Sequence, residues 1–135
     1  MRFAVLVPSL ILLGLTGACA MKSVANTPAS NGVAYPVFFT PFSADLDDAA
    51  RNSVASAAQS AKNNPTAPVL VSGFAAAKGS PQKNLDLSRT RAQNVADALV
   101  ADGIAVSRIT TQAEGEVYDL KDPIAARRVD ISVGG

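Results

Sequence analysis

Apolar positions recur with two different periods along this chain. From Val33 to Phe39 they alternate: Tyr35, Val37 and Phe39 share one face, the spacing of a strand with one side buried. Pro36 within that run predicts an edge or early strand position, because proline brings no N–H to a ladder. The period then lengthens. Leu46, Ala49, Ala50, Val54, Ala57, Ala58 and Ala61 fall on one helical stripe. Ser43 is placed to cap this helix, Asp45, Asp47 and Asp48 to complement its dipole, and Asn63-Asn64-Pro65 to end it. Pro68 to Phe74 reads as a short buried strand, followed by a loop from Ala75 to Lys83 that turns at Lys78-Gly79-Ser80-Pro81. Past Leu87, Ala92, Val95, Ala96, Leu99 and Val100 predict a second helix from about Leu85 to Ala101, with Gly103 as its stop. Arg108 to Glu114 and Arg127 to Val133 read as the last two strands, joined by Tyr118 to Ala126. The order β-α-β-α-β-β predicts an α+β fold in two layers, both helices packed on one mixed sheet.

The front of the chain follows another logic. Met1-Arg2 is a short basic start, and Val5 to Leu15 is almost continuously apolar. That run is shorter than the roughly 20 residues a membrane-crossing helix needs, and reads as a secretory signal. It ends in Leu15-Thr16-Gly17-Ala18-Cys19, which resembles the lipobox of bacterial lipoproteins. The resemblance implies removal of residues 1–18 and acylation of Cys19, palmitate included. Several chains give stable anchoring where one is marginal. Ala20 rather than Asp follows the cysteine, which in such lipoproteins implies delivery to the outer membrane. Ordinary cleavage after Ala18-Cys19-Ala20 is the alternative; it would discard the only cysteine. Residues 19–32 read as a linker, since Met21 to Gly32 is rich in Ser, Ala, Asn, Thr and Pro without apolar periodicity. Its dozen residues reach about 40 Å at most. The folded domain is expected over residues 33–135.

Charge and composition narrow the chemistry. Loss of the first 18 residues takes Arg2 with it and leaves 11 basic against 11 acidic side chains, so nothing favours nucleic acid or an anionic surface. There is no histidine and one cysteine, which excludes His-dependent triads, His-ligated zinc and a disulfide framework. No cofactor is implied. Glu114 and Glu116 share a strand face as exposed end charges rather than as a catalytic pair.

Arg91 is the side chain that asks for an explanation. A helix starting near Leu85 puts it in the first turns, where a cation opposes the dipole at a cost of a few tenths to about 1 kcal/mol. A carboxylate is the simplest compensation, either on a ligand or internal, with Asp86 and Asp130 as candidates. Asn84 is placed to bond a ligand, to cap or to hold a turn. Arg127 and Arg128 point to opposite faces of a strand, so at most one faces a site beside Arg91; Arg128 is the one assigned to it here.

The ordered landmarks resemble the OmpA-like domain, a periplasmic module that grips peptidoglycan. They are Phe39 with Phe42-Ser43-Ala44-Asp45-Leu46, Ser72-Gly73-Phe74, Asn84 with Leu87-Ser88 and Arg91-Ala92, Gly103-Ile104, Gly115-Glu116 and Arg127-Arg128-Val129-Asp130-Ile131. In that family the ligand is the zwitterionic diaminopimelate of the stem peptide. The resemblance implies that Arg91 takes its carboxylate through a planar fork. The family's Thr-Asp pair, whose aspartate takes the ammonium, falls on Ala75-Ala76, so the anion is absent and Lys78 adds a positive charge nearby. A charge-assisted hydrogen bond contributes roughly 1.5–3 kcal/mol, so its loss weakens binding about ten- to a hundredfold. The expected function is a non-catalytic outer-membrane lipoprotein that binds peptidoglycan weakly and links envelope to wall. The alternative is a degenerate domain that binds an envelope protein instead.

Overall fold

The computed structural model describes residues 32–118 and 122–134. The signal, the lipobox with Cys19 and nearly all of the linker lie outside them. The described elements run β1 (Val33–Phe38), α1 (Asp48–Asn63), β2 (Val69–Ala76), α2 (Pro81–Ala101), β3 (Ile109–Val117) and β4 (Arg128–Val133). A short 3₁₀ turn, Val106–Arg108, precedes β3. The expected order is the observed one.

The four strands form one sheet in the order β1-β4-β2-β3. β4 pairs antiparallel with both β1 and β2, and β2 pairs parallel with β3 across the α2 crossover. Pro36 sits in β1, an edge strand, where a missing N–H costs no ladder bond. Alternation sends Val37, Val69, Val71, Val129, Ile131 and Val133 to the side where α1 and α2 pack, and all are buried. From α1, Ala50, Val54, Ala57, Ala58 and Ala61 meet them. Ala49 faces solvent and Leu46 precedes the helix, so the buried stripe is narrower than expected. Among the described residues, no helix covers the opposite face of the sheet.

Both helix starts differ from expectation. Asp47, not Ser43, caps α1: its Oδ1 accepts the Ala50 N–H at 2.7 Å. Ser43 accepts the Asp45 N–H instead and holds the preceding loop. α2 begins one turn before Leu85. Ser80 is its cap and Pro81 takes the first helical position, where the missing N–H would be unpaired anyway. The far end closes as expected. Gly103, at φ +98°, donates to Val100 O, and Ile104 N–H reaches Leu99 O, a Schellman closure with both apolar partners in the core.

One close approach sets where α2 lies. A Cβ on Gly73 would stand 2.1 Å from the Ser88 carbonyl oxygen, so only glycine lets α2 pack this tightly on β2. Ser88 Oγ in turn accepts the Gly115 N–H at 3.1 Å, just past a bulge that leaves Glu114 unpaired. The helix is thereby fastened to two strands, and Arg91, one turn further on, is held at a fixed height over the sheet.

Candidate functional site

The site lies at one end of the sheet, where β1 and β2 finish and β4 begins. A shallow cleft there, with about 20 Å³ of free space, is lined by Pro41, Phe42, Ala76, Lys78, Asn84, Leu87, Arg91 and Arg127. Three of the four expected site positions, Ala76, Asn84 and Arg91, are thus brought together.

Arg91 is 0% exposed and forms part of the cleft's inner wall. It lies ten residues beyond Pro81, in the middle of α2, so the dipole argument for a compensating carboxylate does not hold. Its compensation is different in kind. Nε donates to Ser43 O at 2.8 Å, Nη1 to Phe74 O at 3.1 Å and Nη2 to Thr40 O at 3.2 Å. The Phe39 ring stacks 5.1 Å from the guanidinium carbon. Neither expected internal carboxylate is used: Asp86 pairs with Arg89 and Asp130 with Arg128. Burial, and secondarily the neighbouring Arg127, push the Arg91 pKa down to about 10. It stays cationic at neutral pH. Carbonyl dipoles solvate the charge without cancelling it, and three of five N–H groups are used, so one remains on each terminal nitrogen.

Asn84 is buried in the fourth position of α2. Its amide donates to Lys78 O at 3.0 Å and to Glu116 Oε1 at 2.6 Å, so it ties the β2–α2 loop to β3 rather than capping the helix. The second Glu116 oxygen accepts Tyr118 Oη at 2.7 Å. Those two donors, Asn84 first, hold the Glu116 carboxyl below its ordinary range, and the same contact raises the Tyr118 hydroxyl. Glu116 is therefore part of a built contact and not a loose strand-end charge. It does not line the cleft.

Ala76 ends β2 and presents only a methyl group where the resemblance implies an anion. It also borders a second cleft of about 180 Å³, lined by Ala76, Ala77, Lys78, Val117, Tyr118, Pro123 and Ala126. Ala76 and Lys78 belong to both.

Arg128 does not line the cleft; Arg127 does. With Val129 in the core, Arg128 falls with Asp130 on the helix-free face. There it pairs with Asp130 at 2.9 Å, stacks 4.4 Å from the Phe74 ring and donates to Ala125 O. Arg127 donates from Nε to Phe39 O at 3.2 Å and from Nη1 to Pro123 O at 2.9 Å, pinning the end of β1 and the β3–β4 connection beside Arg91. No described carboxylate forms an ion pair with Lys78, Arg91 or Arg127.

Sequence reasoning missed Arg127, Pro41, Leu87 and Phe42 as lining. Phe42 has a positive φ of 59° and is 75% exposed, an unusual state for a bulky residue. Its signal in the sequence was its place in the Phe42-Ser43-Ala44-Asp45-Leu46 landmark, which did not mark it as lining.

Comparison with known proteins agrees with this architecture. The OmpA family profile matches residues 38–130. The chain is 34% identical over 103 residues to the probable lipoprotein YiaD of Escherichia coli K12, covering 72% of this chain and 47% of that protein. It is 40% identical over 82 residues to outer membrane protein A of Yersinia pseudotuberculosis, covering 50% and 23%. The chain thus spans less than half the length of these curated relatives. Among solved structures, the OmpA-like domain of FopA1 from Francisella tularensis superposes with a TM-score of 0.69 at 28% identity, over 76% of this chain and 71% of that one. The peptidoglycan-associated lipoprotein of Burkholderia pseudomallei superposes with a TM-score of 0.67 at 24% identity, over 73% and 89%. No described helix is long and apolar enough to cross a membrane.

Proposed function

Because the chain belongs to the OmpA family, we propose that it is a non-catalytic envelope lipoprotein whose folded domain binds peptidoglycan through a carboxylate of the stem peptide. The observation that carries this reading is the buried Arg91 guanidinium, solvated by three carbonyls and facing no acidic partner, at the inner wall of a cleft shared with Arg127 and Lys78. Such a wall attracts an anion. Half-buried Arg127 and exposed Lys78 supply donors a ligand can reach, while Arg91 sets the potential from beneath.

The placement of the cleft supports a linking role. β1 enters the sheet at Val33 and leaves at Phe38, beside the cleft. Six residues at about 3.3 Å each set the two ends roughly 20 Å apart. A tether acylated at Cys19 enters at Val33, the end of β1 away from the cleft, and so leaves the cleft unobstructed by the point of attachment. Similarity to a probable lipoprotein supports that anchor.

Sedimentation with purified sacculi tests the reading. The protein is expected to co-sediment, Arg127→Gln to lose most of that binding, and Arg128→Gln, on the far face, to keep it. Failure of the unmodified protein to sediment at low salt overturns it. The second cleft favours another reading, a protein partner: its lining of Ala76, Ala77, Val117, Pro123 and Ala126 is mostly apolar. A stoichiometric protein recovered from membranes, with no wall binding, is the outcome that would establish that alternative.

A further inference from the structure

The cleft's residues carry a preference that the family resemblance does not. Its eight lining residues include three cations, Lys78, Arg91 and Arg127, and no acid. Glu116 reaches Asn84 from β3 but lines neither cleft. A zwitterion would thus find partners for its carboxylate and, among the described lining residues, no acid for its ammonium, which would lie against the Ala76 methyl with Lys78 beside it.

We infer that this cleft selects stem peptides whose diaminopimelate side-chain amine is blocked as an amide, as it is in a cross-link, over those with the amine free. The inference rests on the reading that the cleft takes a peptidoglycan carboxylate. An amide is neutral, so the repulsion from three cations disappears while the carboxylate contact stays. The acyl group also has somewhere to go. The second cleft meets the first at Ala76 and Lys78, so a chain attached to the amine at Ala76 continues over Ala77, Val117, Pro123 and Ala126. The methyl groups and the Pro123 ring there suit an acyl chain.

The test uses two soluble probes: the tripeptide L-Ala-γ-D-Glu-diaminopimelate with its side-chain amine free, and the same tripeptide with that amine acetylated. Each is titrated into the protein calorimetrically, alongside sacculus sedimentation. The acetylated tripeptide is expected to bind at least tenfold more tightly. Ala76→Asp should reverse the order, by restoring an anion at the junction of the clefts. Lys78→Gln, at an exposed position, should narrow the gap, and thermal melts check that both variants fold. If sacculi bind but the free-amine tripeptide binds as tightly as the acetylated one or tighter, the selectivity is overturned and the wall-binding reading survives. If sacculi bind and neither tripeptide does, the ligand does not sit in this cleft and the inference fails. If nothing binds, the wall-binding reading itself fails.

Discussion

Replacing Arg91 by alanine removes the donor to Thr40 O, Ser43 O and Phe74 O together, and opens a hole under Phe39. A hydrogen bond from a charged donor contributes roughly 1.5–3 kcal/mol, so three give an upper bound of about 4.5–9 kcal/mol. The actual loss is smaller. Thr40 is exposed and Ser43 partly so, and water can reach both carbonyls once the side chain is gone. Burying the guanidinium also costs desolvation, which the variant recovers. We expect about 3–5 kcal/mol, a large part of the roughly 5–15 kcal/mol that holds a typical domain folded. Urea unfolding followed by circular dichroism measures it. With a slope of about 1–3 kcal/mol per molar, the midpoint falls by about 1–5 M or the protein is already unfolded. Arg91→Lys keeps a charge but not the fork, and should lie between the two. A loss below about 1 kcal/mol for Arg91→Ala would refute the claim that the guanidinium holds the β1–α1 loop against α2. The stability cost also disqualifies Arg91→Ala as a clean binding probe, so Arg127→Gln carries the binding test above, read beside a thermal melt because Arg127 also donates to Phe39 O and Pro123 O.

Phe42→Asn should raise stability by about 0.5–1 kcal/mol, because asparagine tolerates a positive φ and little packing is lost at this exposed position; for a domain of this size that is a few degrees in melting temperature. Gly73→Ala should cost about 3 kcal/mol or more, since its Cβ would sit 2.1 Å from the Ser88 carbonyl oxygen and α2 must lift; denaturation of that single variant decides it. Glu116 titrates below the ordinary glutamate range in the folded protein, so its contribution is present above the unfolded pKa and lost as pH falls through the folded value; Glu116→Gln should flatten the acid limb of the stability profile. The Tyr118 hydroxyl, raised by the same contact, contributes below the ordinary tyrosine value and loses it as pH rises through the folded one, so absorbance titration in Glu116→Gln should show tyrosine ionising at lower pH than in the unmodified protein.

The fold was legible because its signals are local and repeated. Alternation marked the edge strand β1, a short apolar run marked the central strand β2, and the Val95-Leu99 face with Gly103 located the end of α2 to the residue. The errors fell where two local signals competed. Ser43 and Asp47 are both good caps, and only the path of the loop chooses between them. Pro81 was taken as part of a turn, although proline at a first helical position is equally ordinary. That one-turn error moved Arg91 to a helix start and made a carboxylate look necessary. Its three carbonyl partners come from residues 17 to 51 positions away, a distance at which no spacing rule operates. The choice between Arg127 and Arg128 failed for a related reason. Alternation separates the two but cannot say which face meets the cleft until Val129 is placed in the core.

The way Arg91 is held explains how the fold keeps a buried guanidinium beside a cleft whose described lining has no acid. Had the guanidinium depended on a carboxylate at position 76, replacing that residue by alanine would have left a buried, unpaired charge, at a cost of several kcal/mol. The three carbonyls and the Phe39 ring belong to β2 and the β1–α1 loop, whose Phe39 is itself buried in the core, so they are in place regardless of residue 76. Stability and ligand preference therefore reside in different atoms of one cleft. Position 76 is free to change the charge balance of the site while Gly73, Ser88 and Gly115 keep α2, and Arg91 with it, in place. The consequence is that Ala76→Asp should alter binding while leaving the unfolding midpoint almost unmoved. A large gain in stability from that substitution would mean that Arg91 had been waiting for a counter-charge, and that its carbonyl cradle is only a partial substitute for one.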